Sequence, residues 1–329
     1  METTDKPIIA YKAFNKDMKC RGYQYEVGKE YEMDGDIKCC ERGFHACESP
    51  LEVWTHYDML TSRFAEVEQS GCIDREDGST KVCSSKIKVK AELKLADIIN
   101  VGVEWLKEIT SPSKVKPSEG KNGNGDSAKI GSSGDYAKIG SSGYYAQIGS
   151  SGDYAKIGSS GNYAQIGSSG YYAKIGSSGN YAQIGSSGYS AKIGSSGDSA
   201  KIGSSGDSAK IGSSGDYAKI GSSGDYAQIG SSGDYTKIGS SGYYAQIGSS
   251  GYYAQIDSTG DDSVIMCAGH MSKAKAKVGS WITLAEWMWS DTKNRYVPKC
   301  VKTEFVDGER IKADTWYQLI GGEFKEVKL

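Results

Sequence analysis

Fifteen times between Asp126 and Ile256 the chain repeats one nine-residue phrase, Asp/Tyr/Asn–Tyr–Ala–Lys/Gln–Ile–Gly–Ser–Ser–Gly, with small variations. Isoleucines fall at 130, 139, 148 and onward in steps of nine to Ile256, and Ile265 continues the step in a degraded unit, "DDSVI". No other feature restricts the fold so tightly. Ala and Ile stand two apart with Lys or Gln between them, which is the periodicity of a strand. A core cannot hold a column of lysines, so Ala and Ile point inward, and Tyr and Lys/Gln point outward. "GSSG" then turns the chain, with glycines available for positive φ.

One unit buries only an Ala and an Ile, too little to fold alone. Stacked units share a continuous core and satisfy each other's backbone groups, the logic of a solenoid. A helix is disfavoured because Gly-Ser-Ser-Gly interrupts every few residues. Disorder is disfavoured because Ile and Tyr are too regular and too numerous. The Lys/Gln position alternates strictly through Lys138, Gln147, Lys156, Gln165, Lys174, Gln183 and Lys192. Alternation has physical meaning if odd and even units lie on different faces, so two repeats per 18-residue coil are predicted. Sixteen units then give about eight coils, roughly 38 Å at the strand spacing. One face carries Lys138, Lys156 and Lys174 beside Tyr136, Tyr154 and Tyr172. The other carries Gln147, Gln165 and Gln183 beside Tyr145, Tyr163 and Tyr181. These twelve residues are the candidate binding surface. The lysines either splay into water, pair with Asp135, Asp153 and Asp207, or meet an anionic partner.

Several functions are argued against by the composition of the array. The nine-residue period is similar to that of calcium-binding RTX rolls, but Tyr144, Tyr171 and Tyr189 stand where ligands are needed. Residues 126–265 hold nine Lys, eleven Asp and no Arg, which speaks against nucleic acid as a partner. Ice binding needs a flat array of small hydroxyls, not Tyr and Lys. A partner protein or a glycan fits better.

The head, residues 1–110, reads as an α+β domain. "CRGYQYEVGKEYE" and "GFHACESPLEV", followed by Gly-Ser repeats and a closing "ADTWYQLIGGEFKEV", resemble a phage and prophage family. The resemblance covers nearly the whole chain. It implies a phage-derived protein acting in the bacterial host cytoplasm, and brings no activity with it. More weakly, "AYKAF" and "RGFHACESPLEVWTHY" resemble the opening of ADP-ribosyltransferase-like folds. That likeness implies a nucleotide site at Tyr11, Lys12 and His45, with Glu66 or Glu68 as a candidate acid. The competing reading makes Phe44, His45, Trp54 and Tyr57 core residues. Cys20, Cys39, Cys40, Cys47, His45 and His56 lie close in sequence but without a C-x-x-C pair, so no metal site is predicted. No cofactor is predicted, nor any Ser-His-Asp order or phosphate loop.

A strand, "SSKIKVKAELKL", precedes a helix whose stripe is Leu95, Ile98, Ile99, Val103 and Leu106. Residues 111–125 read as a linker, 126–278 as the solenoid and 279–329 as a small β cap. In the cap, "GSWITLAEWMW" is a strand, and Asp307-Gly308 and Gly321-Gly322 mark hairpins. Solenoid ends need such closure because they expose core and strand edges. No run is apolar enough for a membrane span, and the net charge of -2 excludes a polycation. The sequence-level expectation is a mainly β, non-enzymatic interaction protein that binds a host protein through the solenoid faces, as an inhibitor of antiviral defence. The alternatives are a nucleotide-binding or ADP-ribosyltransferase-like head and a glycan-binding virion accessory.

Overall fold

The computed structural model describes residues 2–76, 79–111, 122–123 and 125–328. Most of the predicted linker, 112–121 and 124, lies outside the described residues. The chain divides into two compact units, residues 1–106 and 107–329. Among the described residues no helix is long and apolar enough to cross a membrane.

The first unit is α+β. Its antiparallel sheet runs in the order Glu30–Glu32, Lys81–Leu93, Phe44–Cys47, Glu2–Phe14, Arg63–Arg75. Lys81–Leu93 also pairs with Arg63–Arg75, so four of these strands close into a ring. Ala10, Phe14, Phe44, Val67, Ile87 and Val89 fill it. Helix Leu95–Ile109 buries Ile98, Ile99, Val103 and Leu106, the predicted stripe, while Leu95 is only half-buried. Gly102 joins that face because Leu51 presses against it: a Cβ there would lie 2.6 Å from the Leu51 side chain.

The second unit is a β-solenoid of about nine turns over residues 129–284, one more than the sequence count. Each repeat contributes a four-residue strand, Lys/Gln–Ile–Gly–Ser in most units. Residue n pairs in parallel with residue n+18: Lys138 with Lys156, Ile139 with Ile157, Gln147 with Gln165. Odd and even repeats therefore lie in two separate sheets, as the alternation predicted, each eleven-stranded once Asn122–Gly123 and the cap strands are counted. Ile from both sheets meet in one core, with Ile148, Ile166 and Ile184 fully buried.

The turn works differently from the sequence expectation. The strand runs on through the first Gly and the first Ser of "GSSG", so that Ser points inward beside Ile, as Ser168 and Ser186 do. None of the repeat glycines has positive φ. The second residue of the unit carries it instead, Tyr136 at 56°, Tyr163 at 58° and Ser199 at 57° among them. A left-handed Tyr is strained, and two contacts that recur along the array offset the strain. The Tyr136 N–H donates to the Asp153 carbonyl of the next coil at 2.8 Å. Its ring stacks on Tyr154, centroids 5.0 Å apart and planes within 6°.

The second Gly of "GSSG" is required by close approach, not by φ. A Cβ on Gly179 would sit 2.0 Å from the Gly161 carbonyl oxygen below it, and Gly161, Gly197 and Gly215 repeat the contact. The Asp/Asn that follows forms a ladder. The Asp135 carboxylate accepts from the Asp153 N–H at 3.0 Å, Asp153 from Tyr171 at 2.7 Å and Asp207 from Asp225 at 2.9 Å. These carboxylates hold the backbone of the next coil, which leaves splaying into water or an anionic partner as the fates of the lysines.

The C-terminal cap begins inside the solenoid. Trp281–Leu284 pairs in parallel with Val264–Cys267 as the last rung, and the strand then turns back as a hairpin with Arg295–Phe305. A second hairpin, Tyr317–Ile320 with Glu323–Glu326, closes the other sheet against Lys273–Lys275. Val306, Ile311, Tyr317 and Leu319 complete the isoleucine core.

Candidate interaction surface and head pocket

The outward positions of the two sheets are not equivalent. In the sheet that begins at Lys138, the residue before each Ile forms one row: Lys138, Lys156, Lys174, Lys192, Lys210, Gln228, Gln246, Val264, Trp281. All of these side chains are exposed. The residue after Ile forms a parallel row of glycines, from Gly140 to Gly248, and a Cβ on any of them would meet nothing within 4 Å. The result is an open groove of about 1480 Å³, floored by glycine and isoleucine and walled by the lysine row. It ends at Val264 and Met266, 53% and 55% exposed, next to Trp281 and Phe305, whose rings lie 5.1 Å apart.

The other sheet is covered over much of its length. Gln165 and Gln183 are buried and Gln147 is half-buried, so this predicted row is not a free face in the structure. The start of the unit shows one covering contact directly: the Thr110 carbonyl lies where a Cβ on Gly131 would be, 1.9 Å away.

The tyrosines lie at the turns, not on the faces. Tyr136, Tyr154 and Tyr172 form a stacked ladder along one edge, and Tyr145, Tyr163 and Tyr181 along the opposite edge. Both ladders break in the middle of the array, where Ser190, Ser199 and Ser208 take the Tyr position, and resume from Tyr217 and Tyr226. The ladders therefore flank the lysine groove. Sequence reasoning missed the glycine floor and the apolar end. Continuing the n+18 register beyond Ile256 aligns Val264 and Met266 with Gln246 and Gly248, and would have found the latter.

In the head, Tyr11, Lys12 and His45 line one pocket of about 690 Å³, together with Arg21, Arg42 and Tyr57. Glu66 and Glu68 are not part of its lining; Glu68 pairs with Lys90 at 2.6 Å. Lys12 is buried, and its ammonium donates to the His45 carbonyl at 2.6 Å and lies 5.6 Å from the Tyr25 ring centre. Burial lowers its pKa, against a weaker opposing effect of Cys20. Burial, with Arg21, Lys12 and Lys81 nearby, brings His45 down to about 4, so the ring is neutral at pH 7. The Cys20 thiol and the Tyr57 hydroxyl share a 2.7 Å hydrogen bond at the pocket wall.

The structure also gathers cysteines in a way the spacing did not show. Cys39 and His45 come together with Cys83, which lies far along the chain from both. Cys20, Cys40, Cys47 and His56 are outside this cluster.

Residues 8–101 match the family model of a domain of unknown function, DUF7666, which contains both the head pocket and this cluster. The repeats and the cap lie beyond the matched span. No curated protein and no solved structure matches the chain.

Proposed function

We propose that this chain is a non-enzymatic interaction protein that binds an acidic protein partner through the lysine groove of its solenoid. The observation that carries this reading is the composition of one exposed row, five lysines leading through two glutamines to Val264 and Trp281. The aspartates that open the repeats, such as Asp135, Asp153 and Asp207, sit at the turns and accept from backbone N–H groups of the next coil, away from the row. Charge at one end and an aromatic and aliphatic anchor at the other match the makeup of protein interfaces. The flanking tyrosines add stiff, amphipathic contact area. The likeness to phage-encoded proteins supports a partner in a bacterial host, and a component of antiviral defence is the class we favour.

Its test is a host carrying a panel of antiviral systems, challenged with phage while expressing the protein. Phage plating should be restored by the wild type. It should fall back to background with a Lys156→Glu/Lys174→Glu/Lys192→Glu variant whose melting temperature is unchanged. Defence left intact across the panel, with the protein recovered in purified virions, would favour the glycan-binding accessory instead.

One observation favours a second reading. Tyr11, Lys12 and His45 do share a pocket, with Arg21 and Arg42 available for an anion. Calorimetry of the full-length protein with NAD and with ADP-ribose decides it. Binding heat that is lost in Tyr11→Ala supports a nucleotide-binding head, and absence of heat removes that reading.

A further inference from the structure

We propose that Cys39, His45 and Cys83 form a binding site for a thiophilic divalent cation, with zinc the first candidate. The sheet places two of the three ligands. His45 and Cys83 are direct cross-strand partners, and Cys83 in turn stands opposite Asp74 on its other side. Cys39 comes from above, in the tight turn Lys38–Arg42, which is closed by reciprocal backbone hydrogen bonds of 2.9 and 2.8 Å. One ligand atom from each residue lies within 4.8 Å of the other two. Zinc bonds of about 2.3 Å to sulfur and 2.1 Å to nitrogen call for ligand separations of about 3.5–3.8 Å. A movement of about 1 Å at the turn therefore closes the site.

The surroundings hold these groups in place. The Asp74 carboxylate accepts from the Cys39 N–H at 2.7 Å, fixing the turn above the sheet. Gly43 lets the turn press down: a Cβ there would lie 2.0 Å from the Cys83 sulfur, and its φ of 131° is one only glycine adopts easily. His45 Nε2 accepts from the Cys40 N–H at 2.9 Å. As the acceptor of that bond Nε2 is the lone-pair nitrogen of the ring, the kind of atom a metal takes. Binding exchanges the Cys40 N–H for the cation at Nε2, and the two thiol protons leave to solvent. Cys40 itself points elsewhere, with its sulfur 2.9 Å from the Lys81 ammonium and 3.5 Å from Glu76. Two sulfurs and one imidazole select zinc or cobalt over magnesium or calcium, which require oxygen ligands. Solvent takes the fourth position.

Cobalt titration of the reduced full-length protein reads the site directly. One equivalent should give the intense visible bands of tetrahedral Co(II) and a near-ultraviolet thiolate charge-transfer band, both bleached by zinc. Cys39→Ser and Cys83→Ser should each weaken binding by roughly 100-fold or more, as loss of a ligand exceeds loss of a supporting group. Cys40→Ser should bind like the wild type. If the two ligand variants do not fold, the wild-type spectrum decides, together with a melting temperature that rises with zinc and not with magnesium. A pale octahedral spectrum, uptake that is unaffected in Cys39→Ser/Cys83→Ser, or a Cys39–Cys83 disulfide formed without metal uptake would each overturn the proposal.

Discussion

An Ile193→Asp variant should lose most of its solenoid structure at temperatures where the wild type is intact. Ile193 is 3% exposed and stacks between Ile175 and Ile211. The change removes the burial of one Ile and places an unpaired charge in the core, a cost of roughly 5 kcal/mol or more. The effect spreads because each coil supplies the backbone partners of the next, so a broken rung exposes two new ends. Lys192→Gln, one residue away, should be nearly silent, since Gln228 and Gln246 already occupy the same row. Circular dichroism melts of the two variants give the answer. Equal melting temperatures would mean that the inward and outward assignments are wrong.

Two glycines three residues apart should respond in opposite directions to the same substitution. Gly179→Ala drives a methyl group into the Gly161 carbonyl, 2.0 Å from the ideal Cβ position. Neither partner is a flexible side chain, so the coils must separate, at a cost of about 3 kcal/mol or more. Gly176→Ala adds its methyl group to the open groove, where nothing lies within 4 Å. A glycine inside a strand costs backbone entropy, so this change should stabilise by about 0.5 kcal/mol. Chemical denaturation of the two single variants measures both. A stable Gly179→Ala protein would contradict the coil-to-coil contact. Gly176→Ala also bears on function, because it narrows the groove without touching a charge.

The period of nine, the parity of Ala and Ile and the alternation of Lys with Gln were enough to place the repeats on their two sheets, because each is a direct trace of burial or of face; the last rung, Trp281–Leu284, lies in what read as the cap. The turn was not legible. Nothing in "GSSGDY" says that Tyr, not Gly, takes the left-handed conformation, since that choice depends on a carbonyl two coil halves away. The covered state of Gln165 and Gln183 was hidden for the same reason: exposure is a property of what lies above a residue. The cysteine cluster escaped because Cys83 reaches His45 through strand pairing and not through spacing. Trp281 and Trp289 are both 47% exposed, because the strand parity that buries Ile282 and Leu284 turns Trp281 outward and the hairpin then projects Trp289 beyond the core.

The n+18 register also has a genetic consequence. Gain or loss of eighteen codons leaves every residue on its own sheet, whereas a nine-codon event moves all later repeats to the opposite one. The Lys/Gln pattern of the chain changes phase in the way such an odd step would produce. From Lys138 to Lys192 the lysines belong to the groove sheet and the glutamines to the other; from Lys219 to Gln246 the assignment is reversed. The switch coincides with the units in which Ser190, Ser199 and Ser208 replace tyrosine. Slippage in a repetitive gene can thus relocate half of a charge pattern without altering a single side chain, which gives this architecture a fast route to new surfaces.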